Sequence, residues 1–92
     1  MKNIVILISG GGSNMAAIVK TAQQEQWERA YGVRIAAVVS NKADAKGLVF
    51  ARDHGIATAV LDHKAFAGRE AFHAALAPAI DQYEPTLVVL AG

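Results

Sequence analysis

Cysteine is absent from this sequence, which excludes disulfides, zinc–thiolate centres and thiol nucleophiles. Charge of one sign is also missing, because nine basic and eight acidic residues leave a net charge of +1. Without a basic stripe, neither nucleic acid nor an anionic membrane is an expected partner. No apolar run approaches the roughly 20 residues that span a bilayer. The run after Lys2 is too short for a signal peptide. These absences predict a soluble, cytoplasmic protein.

Apolar residues are plentiful, at 53% of the 92 positions. A chain of this length builds at most one hydrophobic core. The excess of apolar residues therefore predicts surfaces that contact more protein, whether further sequence or a partner subunit. Open sheet edges would allow a homodimer.

Short β-branched runs alternate with longer helical stretches along the chain. The patterns predict strands at 3–9, 33–40, 58–61 and 86–90, and helices at 13–26, 44–54 and 66–83. Such alternation forms βαβ units with right-handed crossovers. The sequence therefore predicts one α/β domain over residues 1–92: an open parallel sheet of about four strands and three helices, Rossmann-like, with helices on both faces.

Several local features refine this prediction. Asp44 is expected to cap the second helix and Gly55 to end it. Pro78 predicts a kink or a break in the third helix. The segment Trp27–Tyr31 is expected to be a packed loop. The predicted core contacts of the first and third helices are Met15, Ile18, Val19, Ala22, Phe66, Phe72, Leu76 and Ile80.

A glycine-rich loop, Ser9-Gly10-Gly11-Gly12-Ser13-Asn14, joins the first strand to the first helix. Glycines permit φ > 0 and close backbone approach, while a helix N-terminus offers free N–H groups and a positive dipole end. Together they favour an anion, most naturally phosphate, with further donors on Ser13 and Asn14. The alternative is a tight turn without a ligand, in which Ser13 is the N-cap.

The loop departs from the two common nucleotide motifs. Met15 stands where a dinucleotide fold has its third glycine or alanine, and Ser40-Asn41 replaces the acidic residue after the second strand. No lysine follows the glycines, as an ATP-binding P-loop requires. NAD and ATP are therefore disfavoured, and a small phosphomonoester is favoured. Ser40-Asn41 could reach such a ligand, but turn formation alone explains it, so it is left out of the predicted site.

The motifs, taken together, resemble the bacterial-type glycinamide ribonucleotide formyltransferases of purine biosynthesis. The resemblance covers all 92 residues, with a lengthened segment around Trp27–Tyr31. The matching runs, in the family's order, are Ile6–Met15, Ser40–Ala45, Ala51-Arg52, Gly55–Thr58, Phe66 with Arg69–Phe72, and Leu87–Gly92.

The resemblance implies roles for individual residues. Gly12, Ser13 and Asn14 would bind the phosphate of 5-phosphoribosylglycinamide, with Gly10 and Gly11 shaping the turn. Arg69 would lie on the side of the cosubstrate, 10-formyltetrahydrofolate; the alternative is a solvated cation near the start of the third helix. Formyl transfer would proceed by direct attack without a metal.

No catalytic residue is assigned to this chain. The family's asparagine, histidine and aspartate lie downstream of Gly92, so the chain is expected to be the N-terminal part of a longer enzyme, to bind phosphate weakly and to be inactive alone. His54, His63 and His73 are expected to be solvated, and Asp44 to be a helix cap. The rival functions are a stand-alone phosphometabolite-binding module and a formyl-folate hydrolase.

Overall fold

The computed structural model describes residues 2–9, 12–42, 45–62 and 68–91. Within these ranges the strands are β1 (Lys2–Ile8), β2 (Val33–Ser40), β3 (Ala57–Val60) and β4 (Leu87–Leu90). The helices in the same ranges are α1 (Ser13–Gln24), α2 (Trp27–Tyr31), α3 (Lys46–Asp53) and α4 (Arg69–Asp81). None of these helices is long and apolar enough to cross a membrane.

All four strands are parallel and form one sheet in the order β3-β2-β1-β4. The chain builds outward from β1 through β2 to β3, and then returns to place β4 on the other side of β1. In open α/β sheets, ligands bind outside the carboxyl ends of the strands where the order reverses. This topology points to the edge where β1 and β4 end, and the glycine loop follows β1.

Helices cover both faces of the sheet, as the sequence predicted. On one face, Ile4, Ile6 and Ile8 of β1 form a buried cluster with Met15 and Val19 of α1 and with Leu48 and Ala51 of α3. On the other face, Leu76 and Ile80 of α4 pack against Val5, Ala37 and Val39. The expectation that Met15, Val19, Leu76 and Ile80 contact the core is confirmed, whereas Phe66 lies outside the described residues.

The sequence predicted a packed loop at Trp27–Tyr31, and this prediction is wrong because the segment forms α2. Its single turn is bounded by two residues in the left-handed region, Gln26 at φ 50° and Gly32 at φ 64°. Within it, the amide of Ala30 donates to the carbonyl of Gln26 at 2.8 Å. Trp27 is half-buried and packs against the core cluster on the α1 face of the sheet.

Of the remaining predictions about helices, those at Asp44 and Pro78 differ from the structure, and the one at Gly55 agrees with it. The N-cap position of α3 is Ala45 rather than Asp44, which lies outside the described residues. Of the kink or break predicted near Pro78, the break does not occur, because α4 continues to Asp81. The fixed φ of proline is compatible with a helix, although one N–H donor is lost. Gly55 follows α3 at φ 74° and donates to the carbonyl of Arg52, the expected glycine C-terminal stop.

Candidate functional site

The N-terminus of α1 lies directly after the glycine loop and has no side-chain cap. Gly12 occupies the N-cap position in the left-handed region, at φ 71° and ψ 29°. Its carbonyl accepts the first intrahelical bond, from the amide of Ala16 at 2.8 Å. The amides of Ser13, Asn14 and Met15 therefore have no acceptor within the helix. This end of α1 presents N–H groups and a positive dipole end suited to an anion.

The expectation that Ser13 is the N-cap, which belongs to the ligand-free alternative, is wrong, because Gly12 holds that position. Ser13 is the first residue of α1, and the N-cap position belongs to a glycine that has no side chain to offer. The left-handed conformation explains the difference, because glycine adopts positive φ without steric cost and serine does not. Ser13 and Asn14 are both exposed. Gly10 and Gly11 lie outside the described residues.

The beginning of α3 packs directly against the beginning of α1. A Cβ atom placed on Gly12 would lie 3.0 Å from the Cα of Gly47, the second residue of α3. The same Cβ would lie 3.2 Å from the terminal methyl carbon of Met15. The two helices follow neighbouring strands, so both begin at the carboxyl edge of the sheet, where their positive dipole ends add.

The turn after β2 uses the side chain of Ser40 in its hydrogen bonds, but it does not use the Oδ1 atom of Asn41. The hydroxyl of Ser40 accepts from the amide of Lys42 at 3.0 Å and donates to the carbonyl of the same residue at 2.9 Å. The amide of Asn41 donates to the carbonyl of Ile8 at 3.3 Å and so ties this turn to the end of β1. In the described part of the chain, the Oδ1 atom of Asn41 is a buried acceptor without a hydrogen-bond partner.

A cavity of about 350 Å³ opens at this same edge of the sheet. Its wall joins the glycine loop, the turn after β2, the end of β4 and the first turns of α4. It is lined in part by Ser9, Asn41, Leu61, Phe72, Leu76 and Leu90. The lining is mainly apolar, and Ser9, Ser40 and Asn41 are its polar residues. The end of the sheet therefore combines the uncapped start of α1 on one side with an apolar recess on the α4 side.

Arg69 is the first residue of α4 and lies one turn before Phe72, which lines this recess. Its backbone is thus on the opposite face of the sheet from Ser13 and Asn14. The position of its side chain lies outside what the structure describes. The structure places all four predicted site residues at the starts of helices, in two groups that the sheet separates.

The histidines in the described ranges lie away from the start of α1. His54 follows α3 at its far end, where its Nδ1 atom lies 2.8 Å from the carbonyl of Phe50 and its ring stacks on the Phe50 ring at 4.0 Å. His73 is exposed on α4. His63 falls outside the described residues. No group of three or more histidine, aspartate or glutamate side chains in those ranges could hold a metal ion.

A family profile described as formyl transferase matches residues 2–92. The chain belongs to the formyl transferase family. It is 49% identical over 90 residues to the phosphoribosylglycinamide formyltransferase of Escherichia coli, a match that covers 98% of this chain and 41% of the relative. It is 36% identical to the trifunctional purine biosynthetic protein adenosine-3 of Bos taurus, over 97% of this chain and 8% of that protein.

Solved structures of the formyl transferase family have the same fold. Glycinamide ribonucleotide transformylase 1 of Symbiobacterium toebii matches all of this chain and 42% of its own, with a TM-score of 0.88 and 40% identity. Phosphoribosylglycinamide formyltransferase of Coxiella burnetii matches 99% of this chain and 41% of its own, with a TM-score of 0.86 and 42% identity. The chain spans about two fifths of the length of these bacterial relatives.

Gly47 and Asn41 are the site features that the sequence did not assign. A glycine inside a predicted helix is a signal for Gly47, because glycine is a poor helix former and needs a packing reason. For Asn41, the sequence indicates turn formation. The structure shows that the hydrogen bonds of the turn are made by its neighbour, Ser40.

Proposed function

We propose that this chain forms the phosphate-binding part of a folate-dependent formyltransferase that acts on 5-phosphoribosylglycinamide. The formyl donor is 10-formyltetrahydrofolate, and the setting is purine biosynthesis. The observation that carries the proposal is the uncapped start of α1 after a left-handed Gly12. Its place beside the β1–β4 reversal is where ligands bind in open parallel sheets. Relatives named phosphoribosylglycinamide formyltransferase, with 49% and 37% identity, agree with this ligand.

Each proposed residue has a distinct task. The free amides at the start of α1 and the hydroxyl of Ser13 donate to phosphate oxygens, and the side-chain amide of Asn14 supplies a further donor. Gly12 lets the backbone reach the ligand because it has no Cβ. Arg69 is proposed for the folate side, where its cation would attract the carboxylates of the cosubstrate.

The reaction itself is a direct transfer. The substrate amine attacks the formyl carbon, and a tetrahedral oxyanion forms. The bond from that carbon to the folate nitrogen then breaks, and the electron pair stays on that nitrogen. The amine loses a proton and the folate nitrogen gains one. Such a step needs fixed geometry, stabilisation of the oxyanion and a proton carrier. We assign none of these three tasks to residues of this chain, which anchors the substrate.

Calorimetric titration tests the proposal on the 92-residue chain. Heat of binding is measured with 5-phosphoribosylglycinamide and, as the matched control, with the same glycinamide riboside lacking phosphate. Binding of the phosphorylated compound only is expected, because the site is built for the phosphate. Equal binding of both compounds, or of neither, would contradict it.

A formyltransferase assay with 10-formyltetrahydrofolate separates this proposal from its rivals. No turnover is expected from the 92-residue chain. Release of formate from the folate without transfer would instead favour the hydrolase reading. Phosphate-dependent binding of many sugar phosphates, with no preference for the glycinamide compound, would favour a stand-alone binding module.

A further inference from the structure

Gly47 stands at an unusual place for a glycine. It is the second residue of α3 and is buried, and no part of the glycine loop includes it. Glycine weakens a helix relative to alanine, because it loses more backbone freedom on folding. Its backbone here is helical, which alanine adopts readily. The reason for a glycine at this position must therefore lie in what surrounds its Cα atom.

A side chain at this position would be crowded by the ends of two flexible side chains and by the backbone of Gly12. A Cβ atom on Gly47 would lie 2.6 Å from the Cδ1 atom of Ile8, a separation that real Cβ atoms essentially never show. It would also lie 3.1 Å from the terminal methyl carbon of Met15 and 3.3 Å from the Cα atom of Gly12. These three neighbours are the end of β1, the N-cap of α1 and the first turn of α1. They flank the glycine loop on both sides.

We propose that Gly47 is a positioning residue for the phosphate site. Its bare Cα lets α3 approach closely, and this approach sets where Gly12 and the free amides of α1 stand. The contact is reciprocal, because a Cβ on Gly12 would be 3.0 Å from the Cα of Gly47. A methyl group on α3 would push β1 and α1 from the same side and shift the amides that receive the ligand. This inference rests on the phosphate-binding role proposed above.

The direct test substitutes Gly47→Ala and measures the affinity for inorganic phosphate and for ribose 5-phosphate by NMR titration. The affinity is expected to fall about tenfold, the effect of losing roughly one hydrogen bond to a charged group. Val49→Ala is the matched control, because it shortens an exposed side chain two residues further along α3. It is expected to leave both affinities unchanged.

The same substitution in an Ile8→Val background tests whether contact with Ile8 causes the loss of affinity. Ile8→Val removes Cδ1, the atom that the new methyl group would strike, and leaves the longer contacts with Met15 and Gly12. In this background Gly47→Ala is expected to lower phosphate affinity only about threefold, so the two substitutions are not additive. If Gly47→Ala alone does not fold, the phosphate affinity of the Ile8→Val/Gly47→Ala double variant is compared with that of Ile8→Val, and this comparison tests the positioning role.

The outcomes are distinct. A folded Gly47→Ala variant that binds phosphate like the unaltered chain would overturn the positioning role, as would equal affinity of the pair in the Ile8→Val background. A loss of thermal stability without a loss of affinity per folded molecule would show that the contact is only structural and would overturn it too. Absence of phosphate binding by the unaltered chain would refute the proposed site itself.

Discussion

At the scale of single residues, two tasks that one residue often performs are divided: Gly12 occupies the N-cap position of α1, and Ser13 supplies the hydroxyl group. Gly12 holds the N-cap position and terminates the loop with a left-handed backbone, but it has no side chain to bond the helix amides. Ser13 stands one position later, exposed at the start of α1. Since the cap takes no hydroxyl, the proposed phosphate site can use both the Ser13 hydroxyl and the first amides of the helix.

Ser13→Ala tests this division of tasks. The variant is expected to bind inorganic phosphate roughly tenfold more weakly, because one hydrogen bond to a charged group is lost. Its free energy of unfolding should change by less than about 0.5 kcal/mol, as for an exposed position outside a cap. Titration calorimetry and urea denaturation measure the two quantities. A drop in stability comparable to the loss of an N-cap, about 1 kcal/mol, would show that the hydroxyl does cap the helix.

The glycine loop could be predicted as a site from the residues alone, because glycines before a helix have a direct physical meaning. The contribution of Gly47, which packs against this loop, could not be predicted in the same way. Gly47 is 35 positions after Gly12, and the reason for its identity is an approach between two helices that only the folded chain defines. Asn41 was similarly ambiguous, because a serine and an asparagine after a strand both favour turns. The structure distinguishes the two residues, because Ser40 makes the side-chain hydrogen bonds of the turn.

At the scale of elements, periodicity located the strands and the three longer helices of the described ranges to within a few residues. It missed α2, because five residues are too few to show a helical repeat. The strand order also lay beyond the sequence pattern. Which side of β1 receives β4 depends on the packing of α4 on the opposite face, and that packing is a property of the assembled sheet.

The junction between α1 and α2 depends on Gln26, which adopts φ 50° and ψ 54°. A left-handed conformation costs a residue with a Cβ atom about 1–2 kcal/mol. Gln26→Gly removes this cost but adds freedom to the unfolded chain, so a net gain of about 0.5–1 kcal/mol in the free energy of unfolding is expected.

Gln24→Gly is the matched control, because Gln24 is the last helical residue of α1 and is also exposed. There, glycine is expected to lower the free energy of unfolding by about 0.5–1 kcal/mol. Urea denaturation reports both changes as shifts of the midpoint in opposite directions. A shift of the same sign in both variants would mean that the left-handed residue is not the strained one.

At the scale of the whole molecule, Asn3 connects the first strand to the last part of the chain. Its Nδ2 atom donates to the carbonyl of Tyr83 at 2.9 Å and to that of Glu84 at 3.3 Å. Its Oδ1 atom accepts from the Nε atom of Arg34 at 3.0 Å. The amide of Thr86 donates to its backbone carbonyl at 2.8 Å. One side chain thus joins β1, β2 and the turn before β4.

Asn3→Ala is expected to lower the free energy of unfolding by about 1–2 kcal/mol, because three side-chain hydrogen bonds, one of them part-buried, are lost together. Asn3→Asp retains the acceptor for Arg34 but not the two donations, so an intermediate loss is expected. Lys2→Ala, at the exposed neighbouring position, serves as the control. Thermal unfolding ranks the three variants. An Asn3→Ala variant as stable as the control would show that the network does not hold the last turn in place.

The same long-range connection affects the order in which the strands assemble during folding. β1, β2 and β3 follow one another closely along the chain, whereas joining β4 to β1 brings together groups such as Asn3 and Tyr83, 80 residues apart. Closing such a loop is the slow part of assembling a sheet. We expect β4 to dock last and to open first, so that its amides exchange with deuterium sooner than those of β1. The sheet edge beside the proposed phosphate site would then be completed only in the final step of folding.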